Sequence, residues 1–541
     1  MRSLEKRTLS SVSPFQTFRY WLRRAPVSER VIAGVATVVV LALLSWLLIP
    51  ESTHSEKVSS AAASSAIGGS GSGAASESGP AAGALSAPSA EAGAASASPG
   101  AAGSPTAASG ATGTSGTGGT GATPAVGGPV PMPAAGAKGC VSPPGSAPGI
   151  TATEIKVGIA LVNIVGPAAN SLFGIPTPAQ QQADYDAAIA ATNAEGGVAC
   201  RNLVPQYFEV NAADQSDRQQ KCLDIVASGV YAVIDGGSYA TFPEKVCFGQ
   251  HQLPYFGQYF LVQSERDKFY PYLFNLNLLD ALEKDLVFGL KDKGFFDPAK
   301  GFKKFGMVYH DCYPDLIAKV NGWLQQAGIS GSTLVTYNLG CPATFASPSD
   351  IQQAVLKFRQ NNVTHVTAIN MVGDLANFTN VAEQQRYRPK YGLPDEAMIS
   401  IAYGTMRPNY NNIAGALAIA SSRSGEERTP GYVPSAATVK CNAAYKARGL
   451  ASVYEQPAFA GNVCDEVWML KAALDNAPSV ARSALAAGLQ RAKSIDFSFP
   501  QAPNDLTGAR ATTGGQFWRT AEFRSSCSCW QVLDRDFRRS F

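Results

Sequence analysis

Between Ser59 and Gly128 only Ile67, Glu77, Leu85, Glu91 and Val126 depart from Gly, Ala, Ser, Thr or Pro. A stretch of that composition cannot bury enough apolar surface to offset the entropy of ordering its backbone. Residues 51–139 therefore read as a disordered spacer, and a flexible chain of about 90 residues has an r.m.s. reach on the order of 50 Å. The 541 residues, only 16% of them charged, are thus not one uniform globule. Whatever folds must lie on either side of the tract.

On the N-terminal side, Val31 to Ile49 (VIAGVATVVVLALLSWLLI) holds no charged residue. Nineteen residues at a helical rise span about 28 Å, close to a bilayer core. A cleaved secretory peptide has a shorter apolar run, about 7 to 15 residues, and a shorter basic flank. The first cysteine is Cys140, too distant for a lipid-anchoring site behind the apolar run. The expectation is an uncleaved signal anchor over 31–49. Residues 1–30 carry seven Lys/Arg against Glu5 and Glu29, so they form a basic tail on the cytoplasmic side. Everything after Pro50 is then extracytoplasmic, on a single-pass protein of the cell membrane.

Removing that +5 from the overall +3 leaves about −2 for the rest, without the basic balance of a nucleic-acid binder. All ten cysteines lie beyond the apolar run, and their even number fits disulfides in an oxidising compartment. The close pair Cys527-Ser528-Cys529 has no histidine nearby, so a metal centre is not expected. Connectivity is not readable from spacing. The neighbouring pairs Cys312 with Cys341 and Cys441 with Cys464 are the simplest guesses.

Residues 140–541 alternate short apolar runs with helix-length segments. EIKVGIALV (154–162), NLVPQYFEV (202–210) and VYAVIDGG (230–237) read as strands, with helices at 178–193, 214–227 and about 241–251 between them. The rhythm restarts after Asp280, with strands at 304–310, 332–339 and 363–370 among helices at 281–294, 314–327 and 347–361. Such alternation implies parallel sheets with right-handed crossovers, whose ligands bind beyond the carboxyl ends of the strands. The loops in view are 163–177, 236–241 and 257–261. Two βα units in series imply a cleft between two lobes.

Gly149-Ile-Thr-Ala-Thr-Glu-Ile-Lys-Val-Gly158 resembles the opening of type I periplasmic binding proteins of the branched-chain amino-acid-binding family. Asn193-Ala-Glu-Gly-Gly-Val198, Val233-Ile-Asp-Gly-Gly-Ser238, Leu253-Pro-Tyr-Phe256 and Pro271-Tyr-Leu-Phe274 follow in the order and spacing of that family's landmarks. The resemblance spans roughly 149–530. It implies a two-lobed α/β Venus-flytrap fold behind the transmembrane helix and the linker. Its lobes would be about 150–278 with 421–500, and 279–420 with 501–541.

The resemblance also implies a ligand between the lobes and a set of contacts. Phe173 is the aromatic after the first strand. Ser238 and Tyr239 supply a hydroxyl and backbone groups for a carboxylate, and Gln258 and Tyr259 end the next strand. In the second lobe Tyr313, Asn370 and Asp374 occupy contact positions. Near Tyr403 and Gly404 amino-acid binders carry an acid for the ligand ammonium, and none stands here, so an amino-acid ligand requires Asp374 or Asp311 as substitute. Amides and organic acids are the other ligand classes in view.

No G-x-S-x-G, H-E-x-x-H or G-x-x-x-x-G-K-[ST] occurs in the folded part, and no cofactor site is apparent. His310-Asp311 is the one suggestive acid–base pair. The expectation is a non-enzymatic solute-binding protein that closes over a small molecule and delivers it to an ABC permease. The alternative is a sensory or wall-associated receptor on the same fold.

Overall fold

The computed structural model describes residue 140 and residues 142–541, apart from 165, 167–169, 172–174, 240–241, 259, 342–344, 372, 399–407, 454–459, 500–503, 509 and 535. The expected basic tail, membrane span and spacer lie outside the described residues. Among the described residues no helix is long and apolar enough to cross a membrane.

The first sheet begins with β1 (Glu154–Val162), followed by α1 (Pro178–Ala194), β2 (Asn202–Val210), α2 (Gln215–Ala227), β3 (Ala232–Asp235), α3 (Val246–Gln250), β4 (Tyr255–Gly257), α4 (Gln263–Lys268) and β5 (Leu273–Asn275). Its order is β2-β1-β3-β4-β5 and every pairing is parallel. β1 is buried from Val157 onward because helices cover both faces, which is why it reads as a continuous apolar run. Thr177 opens α1 with a capping box to Gln180, and Pro178 supplies the first helical φ.

The second sheet follows with α5 (Leu279–Asp292), β6 (Phe305–Tyr309), α6 (Pro314–Gln326), β7 (Leu334–Asn338), α7 (Pro348–Gln360), β8 (His365–Ile369), α8 (Asp374–Gln384), β9 (Lys390–Pro394) and β10 (Leu417–Ala420). The chain then returns to the first sheet as α9 (Ala436–Ala447), α10 (Ala460–Asp475) and α11 (Leu485–Ala492), which share a core with β1, β3 and α1. After the short ribbon β11 (Ser494–Ile495) and β12 (Asn504–Asp505), it crosses again. There β13 (Phe517–Arg524) joins β10 antiparallel, β14 (Cys529–Val532) pairs with β13, and β15 (Arg538–Arg539) adds to it. Each sheet has an apolar cluster on both faces. The described residues therefore form two three-layer lobes.

The three crossing segments are bonded to one another. Asn275 N–H donates to Thr512 O at 3.0 Å and Gly514 N–H to Asn275 O at 3.1 Å, while Arg423 N–H donates to Phe499 O at 2.8 Å. Ser421 Oγ lies 3.4 Å from Asn277 Oδ1. The third crossing approaches so closely that a Cβ on Gly514 would run into Leu276 O, and Gly515 adopts φ +74°. Only glycine meets both demands without strain.

All ten cysteines are paired, as Cys140–Cys200, Cys222–Cys247, Cys312–Cys341, Cys441–Cys464 and Cys527–Cys529. Both guessed neighbouring pairs are formed. The Cys527–Cys529 bridge spans a sequence separation of 2, against 23 for the buried Cys441–Cys464 bridge. Loop-closure entropy then assigns the short bridge about 1.5 kcal/mol and the long one about 3.5 kcal/mol. Denaturant unfolding of a Cys527→Ser/Cys529→Ser double variant should show a small loss, and Cys441→Ser/Cys464→Ser one at least twice as large. Equal losses would contradict the entropic account.

Candidate functional site

The loop after β3 is built around Asp235. Its carboxylate accepts the backbone N–H groups of Gly237 (3.2 Å), Ser238 (2.7 Å) and Tyr239 (3.1 Å), and the Tyr255 hydroxyl at 2.7 Å. Burial pushes the Asp235 carboxyl up to about 6, against the pull of these donors. A Cβ at Gly236 would lie 2.9 Å from Ala160 O, so the glycine lets the loop fold back over β1. The resemblance gave the backbone groups of Ser238 and Tyr239 to a ligand carboxylate. Here they are committed to Asp235, and Ser238 offers only its Oγ, which is buried without a hydrogen-bond partner.

Tyr239 is likewise not a cleft aromatic. Its ring meets Phe248 edge-on at 5.1 Å inside the outer core of the first lobe, and its hydroxyl donates to Arg218 O at 3.0 Å. This aromatic, two residues beyond the Gly236-Gly237 turn, satisfies itself by turning into that core. Gln258, at the end of β4, is fully buried, and its Oε1 accepts from Asn462 Nδ2 at 3.2 Å. One turn along α10, Glu466 accepts the Tyr185 hydroxyl at 2.7 Å. Burial pushes the Glu466 carboxyl well above the usual range. Gln258, Asn462 and Glu466 thus make a polar floor at the carboxyl end of the first sheet.

In the second lobe, Tyr313 precedes α6 and its hydroxyl receives the Lys245 ammonium at 2.6 Å. Asn370 directly follows β8 with φ +55° and little exposure, and its Oδ1 has no hydrogen-bond partner. Asparagine enters the left-handed region more readily than most non-glycine residues, which suits it to this turn. Asp374 is fully buried, accepts Ala346 N–H at 2.8 Å and lies 2.9 Å from His310 Nε2. Both contacts fall on Oδ2, so this oxygen is engaged by the 346 loop and by His310. His310 therefore faces Asp374, while Asp311 accepts from Asn338 Nδ2 at 3.1 Å. Phe173, Tyr259 and Tyr403 lie outside the described residues.

A polar recess of about 280 Å3 opens beside the ends of β1 and β2, lined by Asn163, Gly166, Glu209, Asn211 and Asp217. Its acids are bonded internally, Glu209 to Asn163 Nδ2 and Asp217 to Asn211 N–H, both at 2.7 Å. Among the described residues no group of three His, Cys, Asp or Glu could hold a metal ion.

Sequence reasoning missed Asp235, Lys245, Asn462 and Glu466. The last had a signal, since Asp465-Glu466 interrupts the apolar run of α10 with two adjacent acids. Acids on the buried face of a helix are costly unless bonded.

A family model described as periplasmic binding protein matches residues 155–524. No curated protein sequence matches the chain. Among solved structures, a possible leucine/isoleucine/valine-binding protein from Rhodopirellula baltica SH 1 is 14% identical over 71% of this chain and 96% of its own, with a TM-score of 0.51. A solute-binding protein of an ABC transporter from Rhodopseudomonas palustris BisB5, in complex with 3,4-dihydroxy benzoic acid, is 14% identical over 72% of this chain and 98% of its own, at 0.51. An extracellular ligand-binding receptor from Rhodopseudomonas palustris HaA2 is 17% identical over 70% of this chain and 100% of its own, at 0.51. At such identities the likeness is one of fold.

Proposed function

The chain belongs to the periplasmic binding protein family, a family of solute binders rather than enzymes, and from that premise we propose that it is a membrane-tethered receptor for a small molecule. The observation that carries the reading is the pair of buried, unpartnered polar atoms, Ser238 Oγ and Asn370 Oδ1, at strand ends of the two lobes. Buried polar atoms are almost always bonded, and a small polar ligand held between the lobes supplies the partners. Closure is by bending of the three bonded crossings. The span over 31–49 holds the protein at the outer face of the membrane, and the spacer gives the receptor its reach. Delivery is to an ABC permease.

The ligand has one polar group that meets Ser238 and another that meets Asn370. Aromatic acids, such as the one bound by the Rhodopseudomonas palustris BisB5 structure, and amides fit better than α-amino acids. No acid stands at 403–404, and Asp374 is engaged elsewhere.

The full chain, in detergent, should be unfolded thermally against amino acids, amides, aromatic acids and sugars. A ligand at 100 times its Kd adds about 2.7 kcal/mol, and for about 400 folded residues this moves the midpoint by about 3 °C. One chemical class should shift it, and Ser238→Ala should reduce that shift. No shift from any class, in a sample that unfolds cooperatively, would overturn solute binding. The uncleaved anchor also favours a second reading, a sensory receptor. A kinase or regulator encoded beside the gene, rather than a permease and an ATPase, would decide for it.

A further inference from the structure

Lys245 is buried to 0% exposure in the first lobe, at the end of a short 3-10 turn (Pro243–Lys245). Its ammonium donates to Phe242 O at 2.8 Å and stands 3.6 Å from Glu265 Oε2, both in its own lobe. Its third partner, the Tyr313 hydroxyl at 2.6 Å, belongs to the other lobe. The helix that Tyr313 caps carries a second tie, since Lys319 Nζ donates to Gln263 Oε1 of the first lobe at 3.2 Å and, within its own lobe, to Asp280 Oδ1 at 2.6 Å. Gln263 N–H in turn donates to Asp280 Oδ2 at 2.6 Å, next to the first crossing.

Tyr313 caps α6 and Lys319 lies six residues further on, about 9 Å along the helix axis. The contacts therefore form a seam with one tie beside the crossing and the other about 9 Å away. A lysine is rarely buried so completely without partners, and separating the lobes would strip one of its three. Burial also holds the Lys245 ammonium below its usual range, so its bonds are what keep it charged there.

We propose that Lys245 and Tyr313 form a latch between the lobes, so that the ligand-free protein rests closed and an entering solute must first part this contact. The proposal rests on the reading of the crossings as a hinge. It adds that the closing equilibrium is biased before any ligand arrives, which lowers the apparent on-rate and prolongs occupancy.

Hydrogen exchange of the full chain without ligand tests it, comparing the wild type with Tyr313→Phe and Lys245→Met. The Phe variant keeps the ring and removes only the hydroxyl. Amides in 242–250 and 310–317 should exchange roughly ten- to a hundredfold faster in Tyr313→Phe, while those of 154–162 and 365–369 stay at wild-type rates. Seam amides unchanged in Tyr313→Phe would overturn the latch. Should Lys245→Met fail to fold, its core strands will exchange fast as well, and Tyr313→Phe decides alone. No ligand enters the experiment, so its outcome is separate from that of the solute titration.

Discussion

Between pH 5 and pH 8 the folded chain is expected to lose stability, and Glu396→Gln is expected to flatten that loss. Burial pushes the carboxyls of Asp465 and Glu396 up to about 7 and those of Asp235 and Asp285 up to about 6. Glu283, beside Glu396, is pushed well above the usual range by burial and then by its neighbour's charge. An acid with a raised value keeps its proton in the folded state after the unfolded chain has released it. Its stabilising effect is therefore complete below the unfolded value, near pH 4, and is lost as pH rises through the folded value, near 6 to 7.

For Glu396 the loss is on the order of 3 kcal/mol, from a group buried to 3% exposure. The Glu396→Gln change would give Glu283 a permanently neutral neighbour. Thermal midpoints at pH 5 and pH 8 should then differ by about 3 °C less than in the wild type. A wild-type midpoint that rises toward pH 8, or a variant with the same slope, would sink the assignment.

The second large effect belongs to Glu426. Its carboxylate lies 3.4 Å from Arg423 Nη1 and also contacts Arg519 Nη2, and all three side chains are at least nine-tenths buried. Both guanidinium groups lie over the Phe537 ring, at 5.6 Å and 4.5 Å. Glu426→Gln removes the carboxylate between two buried cations. Asp496, 3.8 Å from Arg423 but 37% exposed, compensates poorly. The expected cost is about 3–5 kcal/mol in denaturant unfolding. Adding Arg519→Met should recover part of it by withdrawing one uncompensated charge. A double variant no more stable than Glu426→Gln would mean that packing on Phe537, not charge, holds this corner.

The alternation of strands and helices was legible because parallel strands covered on both faces need continuous apolar residues, as in 154–162. The antiparallel extension was not read. β13 carries Arg519, Glu522 and Arg524 among its apolar positions, and the pairing of Arg519 with Glu426 is invisible locally. Expected helix 241–251 is instead a 3-10 turn followed by α3, with Pro243 opening the turn. At the site, the glycine turn before Ser238 and the strand end at Asn370 were legible as loops, and the structure holds Ser238 Oγ and Asn370 Oδ1 there buried without a partner. Tyr239 and Tyr313 follow strand ends alike and both are buried in apolar clusters, yet one hydroxyl donates to Arg218 O of its own lobe and the other meets Lys245 of the opposite lobe. Which way a ring turns depends on neighbours brought in by other segments. Asp235 was hidden for a similar reason, since its role depends on the backbone donors that its own loop returns to it.

The threefold crossing also dictates an order of assembly for a chain that emerges from its N-terminus. When residue 278 has emerged, the first sheet has all five strands, but α9, α10 and α11, which cover part of one face, are at least 150 residues away. Until they arrive, apolar side chains such as Ile155, Val157 and Phe256 have an incomplete cover. Such long-range completion is slow and exposes the nascent chain to aggregation. A holding chaperone that shields this face is therefore most needed in the interval between the emergence of β5 and that of α11.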